Sequence, residues 1–200
     1  MSTLDSSSEI NCPKTLIGSV SDLEPRIVTV IGAGVAGTEA INKALSNNAH
    51  VKIIELSNER LKELELKFGN ENIEYINSTK NNITSAIIES DIVVGSVYVV
   101  GKEAPKVVMK DMILNMKPGS VMVDVSIDQG GCFETSKATT HDNPTFLIND
   151  VVHYCVANMP GSVPLTATDA LNKATLPYIL EIANKGLDKS LEENKHLLNG

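Results

Sequence analysis

Short runs of Val and Ile alternate along this chain with longer stretches whose apolar residues recur at helical spacing. The runs are Ile27–Ile31, Val51–Glu55, Glu74–Ile76, Ile92–Val97, Val121–Val125 and Val151–Val156. Runs that are apolar on both faces are what strands look like in a parallel sheet covered from both sides. Between the first runs, Val35–Asn47 carries Ala, Leu and Ile at helical spacing. Asn58–Phe68 opens on an N-cap Asn58 and brings Leu61, Leu64 and Phe68 onto one face. A last long helix is predicted from about Thr166 to Asn184, closed by Gly186 as its C-cap.

Strand, helix and strand in repeating order, joined by right-handed crossovers, predict an α/β fold: a Rossmann-type doubly wound, mostly parallel sheet with helices on both faces. Residues 1–23 show no sustained period and read as a flexible tail or linker, in which Cys12–Val20 forms a short ordered approach. One ordered domain is expected over 24–186, and 187–200 reads as a polar helix or tail.

Composition narrows the picture by exclusion. Apolar residues make up 42% of the 200 residues, as in ordinary globular proteins, and no run approaches the roughly 18 apolar residues of a membrane span. The opening Met1-Ser2-Thr3-Leu4-Asp5 is polar and lacks the basic flank and apolar centre of a signal peptide, so a cytoplasmic location without membrane contact is expected. Cys12, Cys132 and Cys155 are three widely spaced cysteines without paired metal or redox spacing, and read as free thiols in a reducing compartment. His50, His141, His153 and His196 are scattered, so no metal site is expected and each reads as a structural or solvated side chain. A net charge of -8 argues against nucleic acid, although an uncapped helix N-terminus can still hold a small anion.

The strongest local signal is Gly32-Ala33-Gly34-Val35-Ala36-Gly37, a G-x-G-x-x-G loop that follows the first strand without a gap and opens a helix. Each glycine has a separate physical task. Gly32 permits the tight turn out of the strand, Gly34 leaves room for a pyrophosphate at the backbone, and Gly37 lets the helix pack closely. The free amides and the positive end of the helix dipole then face the phosphates. Glu55, at the end of the next strand and 18 positions beyond Gly37, is suited to the adenosine ribose hydroxyls and would repel the extra phosphate of NADP. NAD is therefore the expected cofactor. Arg60 keeps NADP open as a second choice, the alternatives being a solvated helix residue or a stack near the adenine. Asp128, just past a strand end and before Gly130-Gly131, is placed either as an acid at the ligand edge of the sheet or as a turn cap.

The string from Lys117 to Ser136, with Val123-Asp124-Val125-Ser126-Ile127-Asp128-Gln129-Gly130-Gly131-Cys132 at its centre, resembles the alanine dehydrogenase family, whose nucleotide-binding fold is shared with the proton-translocating transhydrogenases. Ala104-Pro105-Lys106, Pro144-Thr145-Phe146, the stretch from His153 to Gly161, and Ala174-Thr175-Leu176-Pro177-Tyr178 agree with it in order, so the likeness covers roughly 26–186. The resemblance implies interconversion of L-alanine, water and NAD with pyruvate, ammonium and NADH. It further implies that the phosphate loop, Glu55 and Arg60 hold the adenosine half, that Ser78 lies near the adenine, that Val97 and Tyr98 line the nicotinamide side, and that Val156 and Asn158 contact the nicotinamide ribose or amide. Asp128 matches the family's catalytic aspartate.

Members of that family carry the Arg, Lys and His that bind the substrate in another domain, which the residues before the loop are too few to supply. Thr15–Val20 resembles, in weakened form, the end of the linker into the nucleotide domain. Three readings follow. The chain is the NAD(H)-binding domain of an alanine-dehydrogenase-type oxidoreductase, inactive alone, whose substrate domain is either a separate polypeptide or a part absent from this sequence. Alternatively it is a free-standing NAD(H)-binding or redox-sensing module, or a transhydrogenase-like nucleotide subunit. A homo-oligomer is expected from the resemblance.

Overall fold

The structure, a computed structural model, describes residues 16–18 and 23–199. Most of the expected N-terminal tail, with Cys12 and much of Thr15–Val20, lies outside the described residues. The chain divides into two compact units, residues 1–157 and 158–200.

The first unit is built on seven strands: β1 (Ile27–Ile31), β2 (His50–Glu55), β3 (Ile73–Asn77), β4 (Ile92–Gly95), β5 (Val121–Asp124), β6 (Thr145–Ile148) and β7 (Val151–Tyr154). Their order across the sheet is β3-β2-β1-β4-β5-β7-β6. All pairings are parallel except that of β6 with β7. The expected doubly wound, mostly parallel sheet is therefore present, with an antiparallel hairpin added at one edge. That hairpin turns on Asn149 and Asp150, both at positive φ (53° and 60°), the geometry that the right-handed twist of paired strands favours in a two-residue turn.

Helices α1 (Val35–Ser46), α2 (Asn58–Phe68), α3 (Lys80–Glu89) and the short α4 (Lys110–Ile113) make the crossovers. Period two explains how the sheet is covered on both sides. Val28, Val30, Val51 and Ile53 join Ile41 of α1 and Leu64 of α2 in one buried cluster, while Ile31 and Ile54 join Ile83 and Ile87 of α3 with Met122 and Phe133 in the other. In β1 and β2 the buried polar residues Thr29 and Lys52 interrupt the apolar run, and each is matched by α3 or the residue that ends it. Thr29 Oγ1 lies 2.6 Å from Ser90 Oγ. The buried Lys52 is bonded to Glu89 and lies 3.5 Å from Glu74. Burial alone would lower the Lys52 pKa, but the Glu89 hydrogen bond and the two carboxylate charges together raise it.

Three local expectations need correction. The N-cap of α2 is Ser57, whose hydroxyl accepts the Arg60 amide at 3.2 Å; Asn58 is the first helical residue and accepts instead from Asn77. β4 stops at Gly95 rather than Val97. β7 likewise stops at Tyr154 rather than Val156.

His153 is a core residue, as its place inside a strand predicts. Its ring stacks on Phe146 with centroids 5.0 Å apart, Nε2 lies 2.8 Å from Thr135 Oγ1, and Nδ1 lies 3.1 Å from the Val151 carbonyl. Burial lowers its pKa from the ordinary 6.5, so the folded chain holds the ring neutral. The unfolded chain takes up the proton first, so this contribution is complete above about pH 6.5 and is lost as pH falls below it. Between pH 7.5 and 5.5, wild type is expected to lose more stability in urea than His153→Gln does. Equal losses would show that His153 does not titrate on unfolding.

In the second unit, α5 (Pro164–Lys185) runs slightly beyond the expected limits and ends at Gly186, at φ 80°. The expected polar tail is two short helices, α6 (Leu187–Glu193) and α7 (Lys195–Asn199). Two side chains of α5 hold them: Glu181 accepts from Asn194 at 2.7 Å, and Lys185 pairs with Glu193 at 3.0 Å. Among the described residues, no helix is long and apolar enough to cross a membrane.

Candidate functional site

The order β3-β2-β1-β4-β5 reverses direction between β1 and β4, and the carboxyl ends of the strands on either side of that point frame a cleft. Loops diverge at such a point in an open α/β sheet, so ligands bind there. The cleft has a volume of about 910 Å³ and belongs wholly to the first unit.

On the β1 and β2 side lies the phosphate loop, whose glycines are held by distinct constraints. Gly32 sits at φ +86°, and a Cβ there would lie 2.8 Å from the Ser96 carbonyl oxygen. At Gly37 a Cβ would lie 2.0 Å from the Gly32 oxygen and 2.7 Å from Ser96 Oγ. Those two glycines are fixed by packing within the protein. Gly34 is different, because nothing lies within 4 Å of the position a Cβ would take and its φ of -68° suits any residue. It is the N-cap of α1, has no side chain to cap the helix, and the first turn contains no acid. The first amides of a helix have no intrahelical acceptor, so an uncapped, positively polarised terminus opens into the cleft.

Glu55 and Arg60 brace this loop. Glu55 Oε2 accepts the Ala33 amide at 2.8 Å, and Oε1 accepts those of Leu56 and Ser57 at 2.7 and 3.1 Å. The Glu55 side of the cleft continues to Ser78. Arg60 does not line the cleft. Its Nε donates to the Ala33 carbonyl at 3.1 Å, while its other nitrogens donate to Thr38 Oγ1 at 3.0 Å and Glu63 at 2.8 Å. Its guanidinium is thus committed to holding the loop from behind.

The opposite wall comes from the loops after β4 and β5, with Val97, Tyr98, Val125, Ser126, Asp128 and Gln129. Ser126 Oγ donates to the Val97 carbonyl at 2.8 Å and ties the two loops together. Asp128 is exposed on a single 3-10 turn, Ile127–Gln129. Besides the main cleft, Asp128 and Gln129 line a second concavity of about 400 Å³ with Gly101, Lys102, Glu103 and Gly130.

This turn rests on a residue that sequence reasoning passed over. Asp124, fully buried at the end of β5, accepts the Ser126 amide at 3.0 Å, the Cys132 and Phe133 amides at 2.8 and 3.3 Å, and the Ser136 hydroxyl. A Cβ on Gly131, at φ +76°, would lie 2.7 Å from Asp124 Oδ2. From the outer side, the Lys106 ammonium donates to the carbonyls of Gly130 and Gly131, and Val107 and Glu134 continue the lacing of 104–108 to 129–134. Burial and the neighbouring Asp124 charge push the Cys132 thiol far above its ordinary range, which suits a packing role.

Of the residues singled out from sequence, Gly32, Gly34, Val35, Ala36, Glu55, Ser78, Val97, Tyr98 and Asp128 meet around the cleft. Ala33 and Gly37 shape the loop without lining it. Val156 is fully buried beside Thr139 and is not part of the wall, and Asn158 opens the second unit at φ 54°. Ser126 and Gln129 were missed as wall residues, their only signal being their position beside Asp128. Among the described residues, no group of three or more His, Cys, Asp or Glu is gathered to hold a metal.

Residues 7–200 match the family described as Alanine dehydrogenase/PNT, C-terminal domain. An alanine dehydrogenase of Halomonas elongata is 47% identical over 185 residues, which cover 92% of this chain and 50% of that protein. A solved structure of an L-alanine dehydrogenase superposes with a TM-score of 0.85 at 45% identity, over 92% of this chain and 51% of that one. A crystal structure of a transhydrogenase from Sinorhizobium meliloti gives a TM-score of 0.73 at 25% identity, over 83% of this chain and 48% of that one. The chain spans about half the length of the curated relatives it matches.

Proposed function

This chain belongs to the alanine dehydrogenase/PNT C-terminal domain family, and from that premise we propose that its cleft binds NAD(H) as the cofactor half of an L-alanine–pyruvate oxidoreductase. The observation that carries the proposal is Gly34. It caps α1 with no side chain, beneath space that no protein atom fills, as a site for pyrophosphate requires. The glycine loop and Ser78 would hold the adenosine half, within a nucleotide-binding region taken as 24–186. Glu55, presented to the cleft by the amides it accepts, would receive the ribose hydroxyls. Val97 and Tyr98 would face the nicotinamide, with Val156 and Asn158 assigned to its ribose or amide by family likeness alone.

Bound NAD supplies the hydride-accepting ring. Asp128 lines both the cleft and the adjoining concavity, a position from which a carboxylate can orient water or an ammonium group and exchange a proton with it. The relatives are about twice as long as the matched stretch, and the groups that hold the amino acid's carboxylate are assigned to the part that the match does not cover. Stabilising the transition state needs those groups as well, so cofactor binding without alanine turnover is the behaviour assigned to this chain alone. A substrate domain outside the matched stretch, assembly into a homo-oligomer and a cytoplasmic location complete the reading.

Calorimetric titration with NADH and NADPH tests it. NADH is expected to bind at least about tenfold more tightly, because the 2'-phosphate of NADPH would meet the Glu55 charge. Arg60, already bonded to Ala33, Thr38 and Glu63, offers little to offset that repulsion. Tighter binding of NADPH would overturn the selectivity, and no binding of either would overturn the cofactor site.

A further inference from the structure

The Gln129 side chain combines three features found together nowhere else in the cleft wall. Its Oε1 is shielded from solvent and has no hydrogen-bond partner among the described residues. Gln129 lines the cleft on the same turn as Asp128. Its backbone is fixed at both polar atoms: the amide donates to the Ser126 carbonyl at 2.9 Å, and the carbonyl accepts from the Ala104 amide at 2.9 Å. A buried acceptor without a donor is costly, and folded proteins leave few of them, so such an atom marks a place where a ligand or water completes the bonding. The pinned turn means that the side chain does not have to be ordered when that partner arrives.

We propose that Gln129 is a cofactor-binding residue that reads the carboxamide of the nicotinamide ring. This deepens the assignment of the cleft to NAD(H) and rests on it. If the glycine loop and Glu55 take the adenosine half on the β1 and β2 side, the nicotinamide falls on the β4 and β5 side, where Gln129 stands beside Ser126 and Val97. The carboxamide is the substituent of that ring that carries both an N–H donor and a carbonyl acceptor. A glutamine amide also carries both, so the two groups pair reciprocally. Pairing fixes which face and edge of the ring is presented toward Asp128, and so sets where a hydride acceptor stands relative to that carboxylate.

The test compares wild type with Gln129→Met, which keeps the length of the side chain and removes its polar atoms. Three probes are titrated against the full chain: NADH, its acetylpyridine analogue in which a methyl group replaces the carboxamide nitrogen, and ADP-ribose, which lacks the ring. Gln129→Met is expected to weaken NADH roughly tenfold while leaving ADP-ribose within about twofold, the cost of an unpaired buried amide group. Wild type is expected to prefer NADH over the acetylpyridine analogue roughly tenfold, and the variant to lose that preference. Unchanged NADH affinity in the variant, or a parallel loss of ADP-ribose, overturns the role of Gln129. Failure of wild type to bind ADP-ribose and NADH at all overturns the cleft assignment itself.

Discussion

Gly34→Val is expected to remove NADH binding from a protein that still folds. The backbone at Gly34, with φ -68° and ψ -155°, is accessible to valine, and no atom lies within 4 Å of the added Cβ. Exchanging an N-cap glycine for an apolar residue costs up to about 1 kcal/mol, which moves the melting temperature by only a few degrees in a chain of this size. The branched side chain, however, occupies the space over the first amides of α1. Losing two charge-assisted hydrogen bonds to a pyrophosphate, each worth about 1.5–3 kcal/mol, weakens binding by at least roughly 100-fold. Thermal melting followed by circular dichroism, with fluorescence titration of NADH, reads both quantities. Undiminished binding would show that the phosphates do not pass over Gly34. Gly37 offers no such separation of effects, because its Cβ would collide with the Gly32 carbonyl at 2.0 Å and disturb the fold itself.

The largest loss of stability is expected from Asp124→Ala. The substitution leaves three buried amides and the Ser136 hydroxyl without their acceptor, where each unmet group costs about 1–3 kcal/mol. Even with water entering the gap, a loss of about 4 kcal/mol and a fall of roughly 10 °C in melting temperature are expected. Asp124→Asn, which keeps an acceptor and the side-chain volume, should lose markedly less. Urea denaturation of the three proteins decides the matter, and a loss below about 1 kcal/mol in Asp124→Ala would remove Asp124 from its place as the anchor of the 126–136 loop.

The contrast between these two residues shows how far the sequence could be read. Gly32, Gly34 and Gly37 were legible from their spacing together with the strand before them and the helix after, although Ser96, far off in sequence, also crowds the first and last of them. Asp124 works through residues 2 to 12 positions further on, which approach it only after the loop folds back. Strands β1, β2, β4 and β5 were legible because burial on both faces leaves nearly unbroken Val and Ile. Lys52 is tolerated within that pattern because Glu89 arrives from α3. β6 escaped notice as a four-residue strand at the sheet edge, with Leu147 exposed and Pro144 just before it. Helix α3 was masked by its Lys80-Asn81-Asn82 opening, which hides the apolar face that begins at Ile83. Arg60 gave a sequence signal for phosphate and a structure of loop bracing, because its neighbours Ala33 and Thr38 come from a distant part of the chain.

The edge hairpin bears on the order in which the sheet assembles. Each parallel pairing requires a crossover of many residues, and closing such a loop is slow because its entropy must be lost before the strands make contact. β6 and β7 need only Asn149 and Asp150 to meet, with Ile148 already opposite Val151. The hairpin is therefore expected to close before β7 meets β5, so that the C-terminal border of the sheet joins as a two-strand piece. The β6–β7 pairing spans the shortest sequence separation in the sheet, although its strands are the last of the sheet to leave the ribosome.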